Sequence, residues 1–161
     1  MADLLVKLYA LEPPTESRAA MAAAGITIRP AIAPEKRAVA RWVAERFGDG
    51  WASEVEVAFA HLPVGCLVAV QDGALLGFAC HNATAIGFFG PTGVDPDQRG
   101  KGIGEALLRE TMEAMRNLGH GYAIIGGAGP VTFYEKIVGA IEIPGSTSGL
   151  YHGMIRSKTT E

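Results

Sequence analysis

Three glycines at alternate positions, Gly100, Gly102 and Gly104, end a short apolar segment and open a long amphipathic stretch. The run reads Val94-Asp95-Pro96-Asp97-Gln98-Arg99-Gly100-Lys101-Gly102-Ile103-Gly104 and continues into Glu105-Ala106-Leu107-Leu108-Arg109. A chain with this pattern has to set a strand end, a turn and a helix start in immediate succession. The start of a helix leaves about four backbone N–H groups without partners, and the peptide dipoles sum to roughly half a positive charge there. Glycines at that point let a ligand approach the backbone with no Cβ in the way. The product is an anion cradle suited to a phosphate or pyrophosphate, with Arg99 and Lys101 adding charge beside it.

Two familiar cradles do not fit. The NTP loop needs a serine or threonine after its lysine to hold magnesium, and Lys101 is followed by Gly102. The dinucleotide fingerprint needs Gly-x-Gly-x-x-Gly, whereas the spacing here is Gly-x-Gly-x-Gly and lies past mid-chain. Arg99, Gly102 and Gly104 in an Arg-x-x-Gly-x-Gly frame, preceded by Val94-Asp95-Pro96, resemble the acetyl-CoA loop of the GNAT (Gcn5-related N-acetyltransferase) family. A second match is Gly129-Pro130-Val131-Thr132-Phe133-Tyr134-Glu135-Lys136, which is similar to that family's fourth helix. The resemblance covers residues 26–154. Two departures stand out: Ala140 replaces the usual aromatic after the helix, and Gly129-Pro130 takes the place of a common asparagine.

The resemblance implies an α+β fold, a mixed twisted sheet with helices on both faces and a splayed pair of parallel central strands. It implies an N-acetyltransferase using acetyl-CoA as co-substrate, with no metal. Gly93, Val94, Arg99, Gly100, Lys101, Gly102, Ile103, Gly104 and Tyr134 would bind the cofactor, and Tyr134 would also be catalytic. The expected organisation is a strand–helix extension over residues 1–25 and the acetyltransferase domain over residues 26–161.

Bulk properties agree with one globular domain. The chain has 161 residues, 48% hydrophobic and 19% charged, enough to bury about two thirds of its unfolded surface. A net charge of −3 without Lys/Arg clusters argues against nucleic acid or a membrane surface as partner. Cys66 and Cys80 read as buried thiols in a reducing compartment. The apolar run at residues 4–11 is broken by Lys7, too short for a span and wrong for a signal peptide, so a cytoplasmic location is expected.

Residues 4–11 read as a strand stopped by Pro13-Pro14, and residues 15–24 as an alanine-rich helix stopped by Gly25. This segment is either an edge strand with a covering helix or an arm that forms a homodimer. A strand over 26–31 precedes a helix opened at Pro34, with Val39, Trp42, Val43 and Phe47 on one face. Ser53 and Glu56 make a capping-box pattern for the next helix, although Val55, Val57 and Phe59 also alternate as in a strand. Asp72-Gly73 predicts a hairpin between strands 66–70 and 74–80. A strand over 86–94 is interrupted at Gly90-Pro91, a helix runs from 102 to about 118, and residues 122–125 form the parallel partner strand. The tail predicts a hairpin, 140–143 with 150–155, around Pro144-Gly145.

Amine acetylation needs a deprotonated amine, a donor for the oxyanion and a proton for the leaving thiolate. A lysine-like amine has a pKa near 10.4 and arrives mostly protonated. A backbone N–H near Val94 would meet the oxyanion. By resemblance Tyr134 protonates the thiolate; read without it, Tyr134 is a core aromatic beside Phe133. The family's strand glutamate has no counterpart in Gly87-Phe88-Phe89-Gly90. The general base is therefore open among Glu54, Glu56, His61, His81, His152 and a water chain. Trp51, Phe59, Phe88, Phe89 and Tyr151 line an acceptor pocket or belong to the core. The expected acceptor is a small primary amine or amino-acid-like compound, with a protein amine open; no acidic patch favours a polycation. The rival is a catalytically silent CoA-binding module acting as a sensor or partner subunit.

Overall fold

The computed structural model describes residues 1–156. Its elements in chain order are β1 (Leu4–Lys7), α1 (Thr15–Ala23), β2 (Thr27–Pro30), α2 (Lys36–Phe47), α3 (Asp49–Phe59), β3 (Cys66–Gln71) and β4 (Ala74–His81). They continue with β5 (Phe88–Val94), α4 (Ile103–Asn117), β6 (Tyr122–Ile125), α5 (Val131–Val138) and β7 (Ile141–Glu142). The seven strands form one mixed sheet in the order β2-β3-β4-β5-β6-β1-β7. All neighbours are antiparallel except β5 and β6.

Local chemistry accounts for most boundaries. Asp72 and Gly73 take φ of 50° and 77°, the left-handed pair that lets a two-residue turn follow the twist of its strands. In α4, Ile103, Leu107, Leu108, Met112 and Met115 fall at helical spacing and are all buried. They meet Leu4, Val6, Ala123 and Ile125 on one face of the sheet, together with Met21 of α1 and Val138 of α5. On the opposite face Val39 and Val43 of α2 and Val55 of α3 cover Val68, Phe78 and both cysteines. Strands β3 and β4 are buried on both faces, which explains their continuous apolar reading. No helix of the described residues is long and apolar enough to cross a membrane.

The N-terminal strand corrects the edge-strand expectation. It lies inside the sheet, pairing Leu4↔Ile125 through Lys7↔Tyr122 on one side and Leu4↔Glu142 on the other. It stops at Lys7, and residues Leu8–Ala10 turn in a 3-10 helix. Leu4, Val6 and Leu8 are wholly buried, each contributing about 1.5–3 kcal/mol of transfer free energy.

Three other expectations change. Gly48, at φ 97°, ends α2 and lets α3 begin at Asp49, so Ser53 sits inside the helix and its hydroxyl donates to the Asp49 carbonyl at 3.0 Å. The strand expected from residue 86 begins at Phe88, with Ile86 exposed on the preceding loop. The tail is no hairpin: β7 has two residues, and Gly149–Tyr151 form a 3-10 turn. Asp3 explains that path. Its N–H donates to Ser146 Oγ at 2.8 Å and its carbonyl accepts the Ile143 N–H at 2.9 Å, drawing the tail across the N-terminus.

Candidate functional site

Strands β5 and β6 pair only at Phe88↔Ile124 and Phe89↔Ile125. Beyond that point β5 runs on to Val94 while the chain after β6 turns away through Gly126, Gly127, Ala128 and Gly129. The break begins at Gly90, whose φ of 114° suits glycine, and at Pro91, which has no N–H for a ladder. Against β4, Ala79 faces Thr92 and His81 faces Phe89, so β5 carries one extra residue, a bulge. The divergence opens a cleft of about 650 Å³ between the two strands. Asp95 N–H bonds the Leu76 carbonyl of β4 at 2.8 Å. Alternation along the strand therefore turns the Val94 N–H towards the opened side.

The glycine-rich loop stands past the end of β5. Gly100 and Gly102 take φ of 82° and 81°, conformations that L side chains resist. Gly102 is the N-cap of α4, and no side chain caps the helix. The first intrahelical bond runs from Ala106 N–H to the Gly102 carbonyl, so the amides of Ile103, Gly104 and Glu105 have no helical partner. Beyond its chain neighbours and its own turn of helix, a Cβ on Gly104 would come no nearer than 3.7 Å, to Val94 Cγ2, and one on Gly102 would stand 3.9 Å from Met21. The cradle is thus open backbone rather than packed backbone, a shape fitting a pyrophosphate. Arg99 and Lys101 are exposed beside it, and Lys101 Nζ donates to Gln98 Oε1 at 2.7 Å.

The Asp95-Pro96 pair explains how the loop is held. Asp95 accepts the Asp97 N–H at 2.9 Å and Arg46 Nε at 2.8 Å, and these partners hold its carboxyl below the usual range. Arg46 also lies 4.3 Å over the ring of Trp42. Gly93 has a separate reason to be glycine: a Cβ there would strike the Phe47 ring at 2.6 Å. It seats α2 on the sheet.

Tyr134 lines the cleft and is buried beside Phe89 and Phe133, with ring centroids 6.3 and 5.2 Å away. Burial pushes its phenol up, so it keeps its proton at neutral pH. Among the described residues its hydroxyl has no protein hydrogen bond, and no fully buried side-chain N or O is left unpaired; the hydroxyl therefore opens to the cleft. Of the five base candidates, Glu54 alone lines this space, where it accepts a hydrogen bond from Thr84 Oγ1. Glu56, His61 and His152 are exposed elsewhere. His81 is buried outside the cleft, its pKa pushed down to about 4 by loss of water and by His120 and His61. Among the aromatics, Trp51, Phe89 and Tyr151 line the cleft; Phe59 and Phe88 do not.

Two lining residues, Thr84 and Met1, and one supporting residue, Asp3, carried no sequence signal. Thr84 sits in the β4–β5 loop with nothing to mark it. Met1 reaches the cleft wall, and a Cβ on Gly129 would meet its sulfur at 2.9 Å. Asp3 accepts the Gly127 N–H at 2.9 Å, fixing the loop after β6. Tyr151 lies over Gly126, where a Cβ would come within 2.9 Å of its hydroxyl. The cradle residues 99–104 do not line the cleft, whose β5 wall ends at Thr92; they follow β5 in the chain, before α4.

A family model described as the acetyltransferase (GNAT) family matches residues 36–140. The fold resembles the glucosamine N-acetyltransferase region of a fungal multi-domain GH3 β-N-acetylglucosaminidase, at 15% identity and TM-score 0.74, over 88% of this chain and 19% of that one. It resembles a GCN5-related N-acetyltransferase from Sphaerobacter thermophilus at 23% identity and TM-score 0.66, over 88% of this chain and 48% of that one. A Brucella melitensis GNAT family acetyltransferase, solved with acetyl-CoA, matches at 21% identity and TM-score 0.52, over 69% and 80% of the two chains. The chain thus spans less than half the length of the first two. Comparison with curated protein sequences gave no match.

Proposed function

The chain belongs to the acetyltransferase (GNAT) family, and on that premise we propose that it transfers the acetyl group of acetyl-CoA to a primary amine by direct attack. The observation that supports this reading is the arrangement at the end of β5. It joins an uncapped helix start beyond the end of β5 with a cleft that β5 lines as far as Thr92 and that holds a proton-bearing tyrosine. Acetyl-CoA supplies a thioester carbonyl to that cleft. Arg99, Gly100, Lys101, Gly102, Ile103 and Gly104 hold its pyrophosphate, chiefly through amides, while Gly93 and Val94 form the strand end beside it. The Val94 N–H donates to the carbonyl oxygen as negative charge gathers there, a role worth roughly 3 kcal/mol for one such donor. Tyr134 gives its proton to the departing sulfur, whose acid has a pKa near 8.5 by analogy with cysteine.

Glu54 places a carboxylate in the cleft where β5 offers none, which favours an enzyme over a silent CoA-binding module. The test is thiol release from acetyl-CoA against a panel of primary amines. Amine-dependent release matched by acetylated product is expected. Acetyl-CoA binding without amine-dependent release would establish the module instead.

A further inference from the structure

Residues 82–87 connect β4 to β5 and bring Ala83 and Thr84 to the wall of the cleft, where Thr84 Oγ1 donates to Glu54 Oε1. Asn82 closes this loop twice over. Its N–H donates to the Phe88 carbonyl at 2.8 Å, and its Oδ1 accepts the Gly87 N–H at 2.6 Å. The Gly87 carbonyl in turn accepts the Ile124 N–H at 2.9 Å, where β5 and β6 are still paired. Asn82 stands at φ 56°, a left-handed conformation that asparagine tolerates better than most side chains.

The other end of the same side-chain amide meets two histidines. Asn82 Nδ2 lies 3.4 Å from His81 Nδ1 and 3.3 Å from His120 Nε2. Chemistry settles which way the amide points. The Gly87 N–H can only donate, so the atom facing it is the oxygen and the atom facing the two rings is the NH2 group. That group can only donate, so both ring nitrogens must be unprotonated acceptors. A proton on either one sets donor against donor. Both bonds are long, and the hold is correspondingly easy to lose.

We propose that Asn82 is a positioning residue: it clasps the 82–87 loop so that Ala83 and Thr84 form the cleft wall, and protonation of His81 or His120 opens the clasp. The proposal goes beyond the acetyl-transfer reading, on which only its turnover test rests. His81 is buried, and the titratable groups facing it are His120, between α4 and β6, and His61, between α3 and β3. Loss of water, and then these two rings, push its pKa down to about 4, which keeps its acceptor nitrogen free at neutral pH. The closed loop thus favours the neutral ring, and the clasp weakens as pH falls below the ordinary 6.5 towards about 4.

Hydrogen exchange at the Gly87 amide reads the clasp directly, and the amides of Leu107 and Met112 in the buried stripe of α4 report the whole fold beside it. From about pH 7 to about pH 4 the protection of Gly87 relative to α4 should fall at least about fivefold, the weight of one net hydrogen bond. Asn82→Asp keeps an acceptor for Gly87 and a residue suited to the left-handed backbone, but it puts a carboxylate where the NH2 group stood. Protonated rings would donate to that carboxylate, so relative protection should hold or rise as pH falls over the same range. Asn82→Gly removes the side chain without straining the backbone. In turnover it should raise the amine KM at least about fivefold with acetyl-CoA affinity unchanged. Flat relative protection in the wild type, or a fall in Asn82→Asp as steep as in the wild type, would overturn the clasp. An unchanged amine KM in Asn82→Gly would overturn the positioning role. If the exchange results hold but no amine elicits thiol release from the wild type, the transfer reading fails while the clasp stands.

Discussion

The glycine-rich loop at the start of α4 is written in one continuous run, residues 94–104, whereas the cleft wall draws Glu54, Thr84 and Tyr151 from three remote parts of the chain. In the proposed function the cradle acts through backbone amides, and its side chains matter mainly by being absent. In the same proposal the cleft wall acts through side chains, and its backbone matters only as support. The two regions should therefore fail in opposite ways: the cradle when atoms are added, the wall when atoms are removed. That asymmetry also explains why the first is conspicuous in the sequence and the second is scattered through it.

The most severe way to break both regions at once is to delete residues 1–25. This removes an interior strand with Leu4, Val6 and Leu8, together worth several kcal/mol against a typical net stability of about 5–15 kcal/mol. It also removes Asp3, which ties the loop after β6. The truncated protein should lack a cooperative thermal transition; one that melted like the full chain would show the N-terminal strand to be dispensable.

Tyr134→Phe takes one oxygen from the wall side and leaves the ring packed on Phe89. Loss of a positioned acid lowers kcat by about 10²–10⁴-fold with acetyl-CoA affinity nearly intact. An effect confined to acetyl-CoA affinity would make the hydroxyl a cofactor ligand and blur the distinction between the two regions.

A control on scaffold stability comes from His81. Its folded pKa of about 4 lies below the ordinary 6.5, so the fold favours the neutral ring. The stability from this preference is complete above pH 6.5 and is lost as pH falls towards 4. Melts should show Tm falling across that window, and a His81→Gln protein should show a flatter profile there. The smallest effect belongs to the cradle's own side chains. Lys101→Ala removes an exposed charge bonded to Gln98, so acetyl-CoA affinity should weaken by at most about fivefold, near 1 kcal/mol.

Much of the scaffold was legible because its signals are local. Asp72-Gly73 specified the hairpin, and the buried stripe of α4 specified its own face. Gly90-Pro91 foretold the break that opens the cleft, and residues 122–125 form the strand parallel to β5. What was missed depends on long-range pairing. Nothing within residues 4–7 says that they lie between β6 and β7. The tail looked like a hairpin because Pro144-Gly145 is a turn signal, but Asp3 takes Ser146 and redirects the chain. Ser53 matched a capping box only while Gly48 was not known to start the helix earlier. Glu54 was one of five candidates, and only the convergence with Thr84 and Tyr134 on one cleft separates it from the rest.

Gly104→Val tests the central claim most directly, because it adds atoms to the cradle without forcing a left-handed residue and with only ordinary contacts in the protein. Replacing a glycine near the helix start should leave Tm unchanged or slightly higher. Acetyl-CoA titrated into this folded variant should bind at least about 100-fold more weakly than to the wild type, a loss near 2.7 kcal/mol. Wild-type affinity in the folded variant would contradict the account, placing the pyrophosphate away from the start of α4.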